Sequence, residues 1–532
     1  MSFDRHEEIL QAYLRLGSWR AVSRELKIPR GTLNDYQKAL RHLIPSGEVE
    51  GLKETQRKLP KKGTVRRYIL TCAQNNTKLH LPFWHNLRAL AEHFEAELLV
   101  SRFTYNQTAY GASPPKPGTG QDAEDLWYDP AILPFVNDER VELAPGLVWC
   151  GESNISPTAV RPLSGFETYT GRKSAIFPHC KIAMESVASG KTEGTKLIYT
   201  TGTVTQRNYI QKRAGLRAEF HHTYGALLAE VDSKGHWYCR QLNASASDGT
   251  LYDLDLKVSD GKVTKGHRVL AVTLGDVHAA QVDPEVAELT WGKGGLLDVL
   301  APTHTFLHDL VDFRARNHHD RGNPHLNYLK YLKGEDNVDR ELCEAAQIVA
   351  KIQRKDSQVV VVQSNHDNAL LRWLREADYR LDPTNAIVFL ECQLAVYRSL
   401  LKADKAFHLL EWVLQARGCD KAVRFLRTDE SFVIARDKSG GIECGMHGHE
   451  GPNGTRGSAG ALSRMGRRAN IGHSHSAQIL DGLYVAGTSS KLDVGYNTGP
   501  SSWTHSHIVT YENGKRAVIT LYAGSWRAKE SA

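Results

Sequence analysis

The stretch that most limits what this chain can fold into is Val269-Leu270-Ala271-Val272-Thr273-Leu274-Gly275-Asp276-Val277-His278. An unbroken apolar run of this kind reads as a strand buried on both faces, as in a parallel sheet. It stops at a glycine and then delivers Asp276 and His278. Side chains alternate along extended backbone, so these two point the same way. A carboxylate beside an imidazole suits a divalent cation, although Asp-x-His alone is a weak signal.

Four further stretches strengthen it. His308-Asp309-Leu310-Val311-Asp312 follows about thirty residues later. Val359-Val360-Val361-Val362-Gln363 runs into Ser364-Asn365-His366-Asp367. Gly445-Met446-His447-Gly448-His449 and Gly472-His473-Ser474-His475 complete the set. Their order and residue types resemble the calcineurin-like metallophosphoesterase superfamily, whose pattern is D-x-H, G-D-x-x-D, G-N-H-[ED], H and G-H-x-H. The resemblance runs from about Arg268 to Trp526. Two positions depart from it: His308 and Ser364 stand where the family has glycine, which restricts the backbone there.

The resemblance implies a C-terminal α/β/β/α sandwich with two central sheets flanked by helices. It also implies a ligand set. Asp309 is shared by two ions, Asp276, His278 and His475 complete the first, and Asn365, His447 and His473 complete the second. His366 resembles the family's catalytic histidine, beside the metals rather than on them, where it would protonate or stabilise a leaving oxygen. Asp367 is the expected partner for its tautomer. Mixed oxygen and imidazole donors point to manganese first, with Mg, Fe, Zn or Co also open. Two such cations about 3.5–4 Å apart can clamp a phosphodiester's oxygens and acidify a water.

The rest of the chain supplies context. Its 532 residues are 41% hydrophobic and 24% charged, too long for one ordinary core, so two to four domains are expected. No run of about eighteen apolar residues predicts a membrane span. The first residues have no apolar signal core, and the eight cysteines form no C-x-x-C. Both features fit reduced thiols and a cytoplasmic protein.

The net charge is +7, and residues 1–66 hold fourteen Lys and Arg against eight Asp and Glu. Six of the seven net charges therefore sit in this segment, which points to a polyanion partner. Its pattern predicts helices over Glu7–Leu16 and Trp19–Leu26, a turn at Lys27-Ile28-Pro29-Arg30-Gly31, and a third helix over Thr32–His42. This looks like a helix-turn-helix, with Arg30, Thr32, Asn34 and Lys38 as the residues facing DNA. A plain helical cap or assembly element is the alternative.

The expected organisation is a multidomain α/β protein. Residues 1–45 form the helix-turn-helix, 46–65 a Pro/Gly-punctuated linker, 66–265 an α/β domain of unassigned role, and 266–532 the metallophosphoesterase domain. The strand–helix–strand order of Tyr68–Thr71, Pro82–Glu95 and Leu98–Val100 predicts a parallel pair. Thr200-Thr201-Gly202-Thr203 reads as an ordinary loop rather than a phosphate cradle. Helical patterns are expected over Ala369–Ala377 and Asn385–Ala416, with Phe389, Tyr397, Phe407 and Trp412 in the core. No internal repeat or heptad run stands out.

As a whole the chain also resembles the pre-early DNA-transfer nucleases of large tailed phages, on its arrangement and on Met446-His447-Gly448-His449-Glu450-Gly451-Pro452-Asn453-Gly454. SbcD-type repair nucleases share the metal core. These resemblances imply a metal-dependent DNase acting in an infected host's cytoplasm, with a homo-oligomer left open. Two rivals stand beside it. A protein phosphatase would use the same metals but gives no reason for a helix-turn-helix. A DNA-binding regulator with a vestigial core would be expected to lack ligands.

Overall fold

The computed structural model describes residues 3–16, 19–29, 31–33, 36, 54–105, 127–320, 322–438, 440–495 and 497–529. They form a multidomain α/β protein with several sheets. The chain divides into two units, Met1–Thr55 and Gln56–Ala532.

The smaller unit holds helices Phe3–Leu16 and Trp19–Glu25. Ile9, Ala12, Val22, Ile28, Leu33 and Tyr36 make its own apolar core. Thr32 is exposed. Arg30, Asn34 and Lys38 lie outside the described residues, as does much of the expected third helix.

In the larger unit a six-stranded sheet runs in the order Arg424–Phe425, Gln358–Val361, His304–Leu307, Ala271–Thr273, Ser506–Thr510 and Arg516–Thr520. The first four are parallel to their neighbours and the last two are added antiparallel. Alternation along these strands decides what packs where. Val272, Leu307, Val359 and Val361 face an apolar cluster shared with helices Val338–Ile352, Ala369–Glu376, Ala386–Leu401 and Leu409–Gln415. Ala271, Phe306, Val360 and Val362 face Ile434, Ile442 and Cys444 on the other side. Both faces are therefore dry, as the unbroken apolar runs require. Each large side chain so buried contributes roughly 1.5–3 kcal/mol.

The second large sheet continues through Arg140–Ala144, Leu147–Cys150, Ser174–Phe177, Lys196–Thr200, Met184–Val187, Gln478–Leu480, Leu483–Val485, Arg468–Ile471, Ile442–Glu443 and Val433–Ile434. Met184–Val187 pairs antiparallel with Gln478–Leu480. The division expected at 265/266 is thus not a boundary between separate bodies, because one sheet is built from residues on both sides of it. A four-stranded sheet, Trp237–Asn243, Gly225–Val231, Arg66–Gln74 and Glu97–Phe103, completes this side. Its last two strands are the expected parallel pair. They are joined by helix Leu81–His93, which opens with His80 accepting a hydrogen bond from the Phe83 N–H.

Two expectations need correction. The stretch 385–416 is two helices, broken where Ala403 takes a left-handed φ of 52°. Tyr397 and Trp412 are exposed rather than core. The Thr200–Thr203 hydroxyls are buried and bonded within the protein, as an ordinary loop would have them. Among the described residues no helix is long and apolar enough to cross a membrane. All eight cysteines are free thiols.

Candidate metal centre

Ligands in open α/β sheets gather beyond the carboxyl ends of parallel strands, and all five motifs lie there. Asp276, Asp309 and Asn365 follow three adjacent strands of the six-stranded sheet. His447 follows Ile442–Glu443, and His473 and His475 follow Arg468–Ile471, its parallel neighbour in the second sheet. Backbone bonds lace these loops together. Val277 and His278 donate to the carbonyls of His308 and Asp309, and Gly472 donates to His447. His473 N–H donates to Asp276 Oδ2 at 2.8 Å.

Asp276, His278, Asp309 and His475, all buried, present donor atoms within 4.8 Å of one another. His475 Nε2 is 3.1 Å from Asp276 Oδ2 and 3.0 Å from His278 Nε2. His278 Nε2 is 3.5 Å from Asp309 Oδ2, and His447 Nε2 approaches that same oxygen at 3.3 Å from the other side. The Asp309 carboxylate thus lies between the first expected ligand set and the start of the second. His473 packs edge-on to His447, ring centres 5.1 Å apart. Neither of these two joins a converging group of three or more among the described residues. His449 stands further off, beside Glu450.

The chemistry of the donors fits a cation. Asp276 Oδ1, Asp309 Oδ1, Asn365 Oδ1, His447 Nε2 and His475 Nδ1 are buried with no hydrogen-bond partner among the described residues. Leaving such atoms unsatisfied costs about 1–3 kcal/mol apiece, which a bound ion would offset. The backbone carries strain at the same place. His278, Asp309, His473 and His475 have φ of 46°, 44°, 74° and 57°. Non-glycine residues there cost on the order of 1–3 kcal/mol and cluster at functional sites.

Charge is arranged to keep the acids ionised. Burial pushes Asp309 up, but the imidazoles of His447 and His366 outweigh it and hold the carboxyl well below its usual range. Burial likewise opposes ionisation of Asp276, and the His475 hydrogen bond overcomes it. Burial, then the His447 charge, lowers His473 to about 4, leaving it a neutral donor.

His366 lies beside the cluster, its ring 4.8 Å from that of His278. Its Nδ1 is 3.1 Å from the Asp312 carbonyl oxygen and 3.4 Å from Asp312 Oδ1. Burial lowers its pKa, but the charge of Asp309 and the bond to Asp312 prevail and raise it to about 10. Asp312 also takes His278 Nδ1 at 3.1 Å. The tautomer partner of His366 is therefore Asp312 rather than the expected Asp367. Asp367 accepts the Val311 N–H at 3.0 Å and the Ser364 hydroxyl at 2.8 Å, tying two loops together.

Several supporting residues escaped the sequence reading. Asp312 was visible as the last residue of its motif. His308 is fully buried, with Nδ1 3.4 Å from His447 Nδ1. Neither His308 nor Ser364 has a positive φ, so neither position needs the glycine the family carries there. His507 accepts the Gly275 N–H at 2.9 Å and pins the turn before Asp276. Glu341, on helix Val338–Ile352, accepts the N–H groups of Arg314 and Ala315 and fixes the chain after Asp312. No local pattern marks His507 or Glu341. Elsewhere in this region His318 pairs with Arg372, Arg467 with Glu443 and Arg468 with Asp437, while Arg456 is exposed.

Among curated proteins the chain matches protein A1 of Escherichia phage T5. The two are 39% identical over 475 residues, covering 87% of this chain and 83% of that protein. That name states no activity. No family model matches the sequence, and no solved structure matches the chain.

Proposed function

This chain belongs to the family of protein A1 of Escherichia phage T5, and from that premise we propose that it is a divalent-metal-dependent nuclease that hydrolyses DNA phosphodiesters. The observation that carries the reading is the convergence of buried Asp276, His278, Asp309 and His475 within 4.8 Å, with an unpartnered buried polar atom on three of the four. The two packed sheets with helices on the outer face of one support a calcineurin-like core. Asp276, His278, Asp309 and His475 would hold the first ion, and Asp309, Asn365, His447 and His473 the second. When bound, the ions neutralise phosphate oxygens and acidify a water. His366, its Nδ1 held by Asp312, presents Nε2 as the proton donor to the leaving oxygen. The basic N-terminal segment supports a nucleic-acid substrate, and the phage relationship supports action in an infected host cell.

The test compares plasmid DNA with a phosphopeptide, each incubated with the protein and Mn²⁺. Cleavage of DNA with the phosphopeptide untouched is the expected result. Release of phosphate from the peptide with DNA intact would make the protein a phosphatase instead.

A further inference from the structure

Helix Ala386–Leu401 is apolar on two opposite faces. Val388, Phe389 and Cys392 are buried in the core of their own chain, against Trp373 among others. On the far side Ile387, Leu390, Leu394, Tyr397 and Leu401 lie in solvent, with Ile387 75% and Leu401 87% exposed. A helix apolar all round belongs in a buried setting, yet this one is covered on one side only. Single exposed leucines need no explanation. This row does, because its spacing is three, four, three, four. That is the a/d repeat by which one helix packs into another.

We propose that this face pairs with the same face of a second copy, the two helices antiparallel about a twofold axis. The charges on the helix select this occupant and this direction. In antiparallel packing each a residue meets a d residue of the partner. Leu394 then lies opposite the partner's Tyr397, and Leu390 opposite the partner's Leu401. That register brings Glu391, exposed on one flank of the stripe, against the partner's Arg398, exposed on the same flank. The twofold repeats the pair, so a single helix supplies both halves of two ion pairs. A parallel pairing would set Glu391 opposite Ala386 and Arg398 opposite Gln393, leaving both charges without a counterpart. The sixteen-residue helix spans about 24 Å. Leu381, 83% exposed just before it, and Leu400, 68% exposed beside it, widen the apolar patch toward the roughly 1,200–2,000 Å² that specific interfaces bury.

Sedimentation velocity on the full chain tests this without reference to activity. The wild type is expected as a dimer at micromolar concentration, and Leu394→Glu as a folded monomer with an unchanged far-UV spectrum. Because a core effect of that change would confuse the reading, surface charge variants provide a second route. Glu391→Arg alone is expected to weaken the dimer about tenfold, since two attractive surface pairs become two repulsive ones. Glu391→Arg combined with Arg398→Glu is expected to restore it. A monomeric wild type, or a Leu394→Glu protein that remains dimeric, would overturn the proposal. A dimer indifferent to Glu391→Arg would overturn the antiparallel register.

Discussion

Asp309 stands between two groups of imidazoles, with His278 on one side and His447 on the other. In the proposed centre a carboxylate so placed would serve both ions, whereas His366 would serve neither. Asp309→Ala is therefore expected to lose both metals by elemental analysis. His366→Ala is expected to keep them while losing turnover by about 10²–10⁴-fold, the usual worth of a positioned proton donor. A metal-free His366→Ala protein would remove the role given to it. Glu341 yields a prediction of a different kind. Burial, then the charge of Asp312, raises its pKa from 4.5 to about 7. A group raised on folding contributes its stability fully below pH 4.5 and loses it as pH climbs through 7. The loss is of order 3 kcal/mol by pH 8. Glu341→Gln keeps an acceptor for the loop and removes the charge. Relative to wild type, its melting temperature is expected to rise between pH 5 and pH 8. A constant difference across that range would show that Glu341 does not ionise there.

At the level of the elements, the loops depend on close backbone approach. A Cβ on Gly472 would lie 2.1 Å from Asp276 Oδ1 and 3.1 Å from the His308 Cβ. Gly472→Ala must displace Asp276, a proposed ligand, without deleting it. Its metal affinity is expected to fall by about 10- to 100-fold, the cost of disturbing a ligand's surroundings, as read by calorimetric titration. The strands beneath were legible because burial on both faces leaves an apolar run, as in Val269–Leu274 and Val359–Gln363. The turns that bring the buried Asp and His cluster together were legible because Asp, Asn and His sit where such runs stop. Pairing was not. Nothing local in Met184–Val187 announces Gln478–Leu480 as its neighbour, because packing across some three hundred residues sets that choice. Asp367 looked like the partner of His366 because it is adjacent in sequence, while the true partner, Asp312, comes from a neighbouring loop. The break at Ala403 carries no glycine or proline to betray it. The stripe from Ile387 to Leu401 spans only two heptads, too few to register as a repeat, and becomes informative once its exposure is seen.

For the whole molecule the proposed division of labour follows the charge. Residues 1–66 hold six of the seven net positive charges, and every proposed metal ligand lies beyond residue 270. The N-terminal unit has its own apolar core. Removing residues 1–60, which hold eleven Lys and Arg against eight Asp and Glu, is expected to leave hydrolysis of a small phosphodiester unchanged. DNA binding should weaken, with a shallower salt dependence, since each lost phosphate contact lowers the log–log slope by roughly 0.9. Unaltered affinity and slope would assign that unit another task, such as assembly. Metal-dependent cleavage of DNA is what the proposed centre exists to perform. The most direct test measures plasmid cleavage by the full chain after EDTA treatment and again after Mn²⁺ is restored. Cleavage should vanish with the chelator and return with the ion; full cleavage in EDTA would contradict the account.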